Sequence, residues 1–347
     1  MDSKNNIEND TIKIKNINNK ILIGLDIGGS LTKISIVTEK EEKQINDFLL
    51  SQKNYEQIEI DKYYLYLTNF PTINFENNIS SLINELKKII KIDKIEATGG
   101  GAYKFYKFAK NTLNIEFIKH DELQSLKYGY QFMNVYHSFY EKDNNNKNFK
   151  LKSELKFPHI SANIGSGVSI LKVSSPFTYE RIGGTLMGGG TLIGLSKLIF
   201  GIDDFDEILE LASKGKYENV DLTKNDLANE SKDKDTTENV SISSLGKIHE
   251  FIRLGKKEEI KKEDIALSLL NMICSHIAQY SVLYAEKYNI DTIYYFGTFT
   301  KKNSIVDNVL NKASKYWNKD IKVRFNYFGG YLGAIGTLIE ISNKPSK

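Results

Sequence analysis

The chain passes from one apolar β-like segment into another through Asp-Ile-Gly-Gly-Ser in ILIGLDIGGSLTKISI, residues 21–36, and repeats the device in ISANIGSGVSILKV, residues 160–173. Asn-Gly or Asp-Gly alone closes a hairpin, so a carboxylate, two glycines and a hydroxyl at one turn exceed what the turn needs. Two strand-turn-strand openings, each followed by more strand and then helix, predict a duplicated α/β architecture with a ligand cleft between two lobes.

Strands are expected near 21–26, 31–37, 44–50 and 60–67, the last alternating Tyr and Leu. In NNISSLINELKKIIKI, Ile79, Leu82, Ile83, Leu86, Ile89 and Ile90 recur at helical spacing. A short strand over 95–98 runs into Gly99, Gly100 and Gly101, and a helix follows around 121–139. The run YEKDNNNKNFKLK, residues 140–152, has loop composition and marks a domain boundary. A disordered tail over 1–20, an N-terminal lobe over 21–150 and a C-terminal lobe over 151–341 follow from that reading. In the second lobe GGGTLIGLSKLIFG is a glycine-led helix, and residues 214–243 read as a mobile polar insertion. Ile265, Leu269, Met272, Ile273, Ile277 and Tyr280 form one helical stripe, TIYYFG (292–297) is a strand, and a last helix begins near Gly330.

With 40% hydrophobic and 26% charged residues, 347 residues suffice for the cores of two domains. A net charge of +3 from nearly balanced Lys and Asp/Glu gives no basic stripe for nucleic acid. The single cysteine, Cys274, lies in an apolar helical pattern, forms no intrachain disulfide and fits a reducing compartment. The five histidines show no metal spacing. No apolar run of about 18 residues occurs and residues 1–20 lack an apolar leader core, so a cytoplasmic protein is expected.

Phosphate needs close backbone N–H donors, and glycine removes the side chains that obstruct the approach. In DIGGS, Gly28 and Gly29 can offer N–H groups, Ser30 adds a donor, Asp26 can organise a magnesium ion through its waters, and Lys33 supplies a point charge. An ordinary glycine hairpin is the plainer reading of DIGGS alone. NIGSG (163–167), with Gly165, repeats the device, while TGGGA (98–102) follows a strand and GGYLGAIG (329–336) opens a helix. Together they fit a polyphosphate clasped between two lobes, without the Walker pattern. In HDELQSLKYGY, Asp121 can cap a helix and Glu122 falls in its first turn, where it reads by itself as a helix-dipole partner. Arg181 is one of only three arginines, with Arg253 and Arg324, among 47 basic residues. Its place between a β segment and a glycine run suits the planar guanidinium fork, with a chance surface arginine as the alternative.

DIGGSLTK, ATGGGAYKF, DEL, NIGSGVSIL, ERIGGTLMGGGT and GYLGAIG, in that order over roughly residues 20–341, resemble the eukaryotic-type (type II) pantothenate kinases. The resemblance implies the actin-like, ribonuclease-H-like two-lobe fold shared by acetate and sugar kinases, Hsp70 and actin, with ATP in the interlobe cleft. It implies ATP-dependent phosphorylation of pantothenate to 4′-phosphopantothenate, the first step of coenzyme A synthesis. It further implies Glu122 as catalytic base, Arg181 as the group that binds pantothenate and assists transfer, and Mg2+ at Asp26. Lys33 with Gly28, Gly29 and Ser30 would hold ATP phosphates, Gly165 would belong to the second phosphate turn, and Gly188, Gly189 and Gly190 would lie beside the nucleotide. Ser166 and Val168 match positions that contact pantothenate. CoA or acyl-CoA is implied as an inhibitor overlapping both substrates, and the second-half helices as a homodimer interface.

The chain departs from the family pattern at Ser30 for Thr, at Gly183 and Leu186 for Thr and Ser, in ISSLG (242–246), at Thr298 for Asn, and at Phe328-Gly329 for His-Glu. The altered residues around the second glycine loop and at 328–329 motivate one alternative, a catalytically weak regulatory subunit paired with a paralogous kinase; another small-molecule kinase or ATPase of the actin fold keeps the DIGGS argument but leaves NIGSGVSIL and ERIGG unused.

Overall fold

The structure is a computed structural model and describes residues 10–17, 20–52, 55–136, 139–142, 148–151, 156–175, 178–227, 240–300, 304–326 and 328–343. After β1 (Asp10–Ile14), the opening hairpin forms as the sequence predicts, from β2 (Ile21–Ile27) and β3 (Leu31–Glu39). Helix α1 (Lys43–Ser51), β4 (Glu56–Ile60), β5 (Tyr63–Pro71), α2 (Phe75–Lys87), β6 (Lys94–Thr98), α3 (Gly100–Lys104), α4 (Tyr106–Thr112) and β7 (Glu116–Lys119) complete the first lobe. Its sheet has the order β4-β5-β3-β2-β6-β7, antiparallel from β4 to β2 and parallel from β2 to β7.

Helix α5 (Glu122–Tyr136) leads out of that lobe into the hairpin β8 (Phe139–Lys142) and β9 (Asn148–Leu151). Then follow β10 (His159–Ile164), β11 (Val168–Ser175), β12 (Thr178–Thr185), α6 (Gly189–Phe200) and α7 (Phe205–Lys214). A small excursion carries β13 (Leu222–Thr223), α8 (Lys224–Leu227), β14 (Ser241–Ser243) and α9 (Ile248–Arg253). The long α10 (Lys262–Lys287) precedes β15 (Thr292–Phe296), α11 (Ser304–Trp317) and β16 (Lys322–Asn326), and the chain closes with α12 (Leu332–Thr337) and β17 (Ile339–Asn343). The second sheet runs β12-β11-β10-β15-β16-β8-β9. Its first five strands repeat the β5-β3-β2-β6-β7 pattern strand for strand, two antiparallel pairings followed by two parallel ones. This is the duplicated α/β architecture expected from the two glycine turns, in the actin-like, ribonuclease-H-like form that the family resemblance implies.

Among the described residues, three apolar cores hold the fold. Ile23, Leu25, Ile34, Ile79 and Ile83 anchor the first, inside the N-terminal lobe, and Ile170, Leu192, Ile273 and Ile293 anchor the second, inside the C-terminal lobe. The third lies between the lobes, where Val37 and Leu67 of one sheet meet Leu171, Tyr294 and Phe296 of the other through Tyr130, Phe132 and Leu332.

Several sequence expectations change. Residues 44–50 are helix, not strand, because Ile45 and Leu49 are buried one turn apart. The stretch 60–67 is split by a turn at Asp61 (φ 47) into β4 and β5. The boundary at 140–152 moves, since β8 pairs with β16 and the hairpin extends the C-terminal sheet. The expected tail contributes β1, which pairs antiparallel with β17; its residues 1–9 lie outside the described residues. The expected mobile insertion forms β13, α8 and β14 at its ends, and residues 228–239 lie outside the described residues. The α10 stripe is right at Ile265, Leu269, Ile273 and Ile277, but Tyr280 is 42% exposed. Among the described residues α10 is the one helix long and apolar enough to cross a membrane, and 61% of its apolar window is buried inside the fold. Cys274, on that helix, is fully buried, which pushes its thiol pKa up.

Candidate active site

Strand β2 is buried through Leu25 and Ile27, and Asp26 emerges between them, half-buried. The hairpin register pairs Asp26 with Lys33, so the two side chains share one face, with Lys33 Nζ 3.3 Å from Asp26 Oδ2. Gly28 N donates to Leu31 O at 3.1 Å within the turn, which leaves the turn's ligand donors at Gly29 and Ser30. A Cβ at Gly29 would meet nothing within 4 Å, so this side of the turn is open. Thr72 braces it from behind: its Oγ1 donates to Gly28 O at 2.9 Å and its N to Ser30 O at 2.8 Å. The sequence held no signal for Thr72.

The second turn is braced by α6. Gly189 N donates to Gly165 O at 2.8 Å and Gly190 N to Ser166 O at 3.0 Å, while a Cβ at Gly188 would stand 2.8 Å from Ser166 O and 2.9 Å from Gly167 Cα. The run 188–190 therefore earns its glycines as the seat of the second turn, with two of its N–H groups already bonded. Ser30 Oγ and Ser166 Oγ lie 2.8 Å apart, joining the two turns across the cleft. Val168 does not join them: it is 6% exposed and packed in the C-terminal core. The run 99–101 also has a packing reason, since Gly99 takes φ +81 with its Cβ direction 2.7 Å from Ile27 O.

Glu122 opens α5 beside Asp121, whose Oδ1 accepts from Gln124 N at 2.8 Å as an N-cap. Desolvation raises the Glu122 pKa, the Asp26 and Asp121 carboxylates raise it further, and Lys33 opposes them. Asp26, Lys33 and Glu122 thus form one electrostatic group at the first turn. The facing wall is β12. Tyr179 OH donates to Leu123 O at 2.8 Å, next to Glu122, and Arg181 stands two residues along the same face of the strand. Arg181 Nε donates to Ser169 Oγ at 3.2 Å, and a Cβ at Gly184 would crowd Nη2 at 3.1 Å. A bulge follows at Ile182, and it turns Gly183 to the opposite face, where the Tyr284 hydroxyl fills the space of a side chain. Ser169 and Tyr179 carry no role that the sequence reveals, although Ser169 lies inside NIGSGVSIL.

Asp26, Lys33, Gly29, Ser30 and Ser166 are therefore gathered where the two turns meet, Glu122 opens α5 within their electrostatic reach, and Arg181 lies on the strand that touches α5 through Tyr179. Helix α12 closes the cleft from below, with a Cβ at Gly333 placed 2.9 Å from Asp26 Cγ.

The Fumble family profile matches residues 22–340. A pantothenate kinase of Schizosaccharomyces pombe is 34% identical over 346 residues, which cover 93% of this chain and 83% of that protein. The chain belongs to the Fumble family, the pantothenate kinases. Pantothenate kinase 1 of Arabidopsis thaliana is 34% identical over 72% of this Fumble chain and 66% of its own length. A 4′-phosphopantetheine phosphatase of Mus musculus is 33% identical over 94% of the chain, which spans 41% of the length of that protein. A glucokinase of Balamuthia mandrillaris, solved with glucose, aligns over 93% of the chain and 94% of its own at 12% identity and a TM-score of 0.45, too slight a likeness to bear on function.

Proposed function

We propose that this Fumble-family chain is an ATP:pantothenate 4′-phosphotransferase. The observation that carries the reading is the meeting of the two glycine turns, with Ser30 Oγ 2.8 Å from Ser166 Oγ and Lys33 Nζ 3.3 Å from Asp26 Oδ2, beside the first turn of α5 that bears Glu122. Phosphoryl transfer asks for a carboxylate to take the acceptor's proton and for fixed positive charge around the transferring group. Glu122, with its raised pKa, takes the proton of the primary hydroxyl. Arg181, held by Ser169, presents its remaining fork to the acceptor and the moving phosphoryl. Lys33 and the N–H groups of Gly29 and Ser30 orient the ATP phosphates, and Ser166 serves from the second turn.

Among the described residues no three His, Cys, Asp or Glu side chains cluster to hold a metal. Asp26 alone, half-buried and beside the open turn, fits a magnesium ion that keeps most of its waters and is completed by phosphates. MgATP supplies the phosphoryl group and charge neutralisation when bound. Inhibition by CoA or acyl-CoA, a cytoplasmic setting and a dimer through the exposed face of α10, where Tyr280 and Leu283 emerge, belong to the same reading.

The isolated chain with MgATP and pantothenate is expected to form phosphopantothenate. Glu122→Ala should keep the melting temperature and lose roughly 10²- to 10⁴-fold in kcat. Full turnover in that variant removes Glu122 as the base. A second reading, a weak subunit supporting a paralogue, is favoured by Leu186, 94% exposed where the family pattern has a polar side chain. Product formed only after a paralogue is added would select it.

A further inference from the structure

His120, the residue before the Asp121–Glu122 pair, belongs to a network that the chemistry above does not use. Its ring Nε2 bonds the Glu96 carboxylate on β6. Lys15, from the segment between β1 and β2, donates to the same Glu96 oxygen at 2.8 Å and stands 3.3 Å from the ring nitrogen. The main chain of His120 is pinned as well: its N–H donates to Ala97 O at 2.8 Å, and its C=O accepts from Thr98 Oγ1 at 3.0 Å. Immediately beyond, Asp121 O accepts from both Ser125 N at 2.9 Å and Ser125 Oγ at 2.8 Å. Lys15, Glu96 and His120 are half-buried on the wall of a cavity of about 560 Å³ whose lining includes none of the cleft residues.

Half-buried ion pairs return little net stability, because desolvation cancels much of the attraction. Here desolvation works to raise the Glu96 pKa, yet the bonds from His120 and Lys15 outweigh it and hold the carboxylate below its ordinary range. What such a network does supply is direction. A side chain four or five bonds from a pivot swings by ångströms when the pivot twists, and misplacement of about 1 Å costs as much as 10²-fold in rate. We propose that Lys15, Glu96 and His120 are positioning residues for Glu122: they lock the β7–α5 corner from behind and so fix the direction in which Glu122 faces Asp26 and Lys33. The catalytic consequence rests on the kinase reading, whereas the locking of the corner does not. It also gives the segment expected to be a tail a part in the site.

Glu96→Gln removes the charge at constant size, and Lys15→Met removes the cation from the periphery should the first variant fold poorly. Both are expected to lower kcat by about 10- to 100-fold with KM for ATP and for pantothenate unchanged. Lys15→Arg, which can keep the ion pair, is expected to restore kcat. In parallel, amide hydrogen exchange at Gln124 and Ser125 should quicken in Glu96→Gln and Lys15→Met while exchange in the core of α10 stays as in the parent. Wild-type kcat in both folded variants, with exchange at Gln124 and Ser125 unchanged, overturns the proposal. If the parent chain itself makes no phosphopantothenate, the kinase reading falls, and the exchange result alone decides whether the corner is locked.

Discussion

At the scale of single residues, the cleft assigns different duties to two groups of opposite charge. On the proposed kinase reading Glu122 must be ionised to accept a proton, so activity is expected to be lost as pH falls through its pKa. Desolvation and the Asp26 and Asp121 carboxylates place that pKa above the 4.5 of an ordinary glutamate, and Lys33 restrains it. The acid limb of kcat/KM is therefore expected above the usual carboxylate range, and Lys33→Met should move the limb to still higher pH. A limb that stays in place in Lys33→Met, measured over a full pH series, argues that another group titrates. Arg181 is bound to Ser169 through Nε alone, which leaves the two terminal nitrogens for the substrate. Lysine offers a point charge without that fork, so Arg181→Lys should lose about 10²-fold in kcat/KM. Equal steady-state kinetics in the two proteins discounts the clamp.

At the scale of elements, the decisive contact is the crossing of α5 and α12. A Cβ at Gly336 would overlap Ser125 O and stand 2.9 Å from Gly129 N, and a Cβ at Gly129 would overlap the backbone of Leu332. Gly336→Ala must push the helices apart and is expected to cost about 1–3 kcal/mol in denaturant unfolding. Gly194→Ala, inside α6 with nothing within 4 Å of the new methyl, should instead stabilise by about 0.5–1 kcal/mol. Opposite signs at two helical glycines follow from space alone, and a loss at Gly194 contradicts that account. The same crossing shows what the sequence could and could not disclose. Strand-turn-strand repeats are local patterns, so β2–β3 and β10–β11 were legible, as were Asp26, Lys33 and the two turns. The return of α12 and β17 to the first lobe was not, because Gly333 and Gly336 of GGYLGAIG match residues some 200–300 positions away in the chain, and a phosphate turn calls for the same residue type. Helix α1 was missed because a short run with two buried apolar positions, Ile45 and Leu49, supports either period. The inward face of Val168 and the bracing by Thr72 and Ser169 depend on register and packing that exist only once the sheets are assembled.

At the scale of the whole molecule, the lobes share the apolar core around Phe132, Leu171, Phe296 and Leu332 at one end and touch through Ser30 and Ser166 at the cleft. Activity and stability can then be separated by pH, because their titrating groups sit in different parts of this frame. His159, at the start of β10, is fully buried, with Nδ1 bonded to Lys156 O at 2.8 Å and its ring 4.6 Å from that of Tyr294. Desolvation lowers its pKa from 6.5 to about 4, the bond to Lys156 O opposes the shift, and Arg324 adds to it. Between those values the unfolded chain binds a proton that the folded chain refuses. Stability from this site is whole above pH 6.5, declines as pH falls towards 4, and is level below, an effect of about 3 kcal/mol at most. His159→Phe keeps a ring against Tyr294 and removes the titration. It should cost a constant amount for the lost bond to Lys156 and flatten the fall of the melting temperature across that window, while the acid limb of kcat/KM, which the proposed reading assigns to Glu122, stays where it was. A melting curve series whose slope against pH is the same in the parent and in His159→Phe assigns the acid sensitivity to other groups.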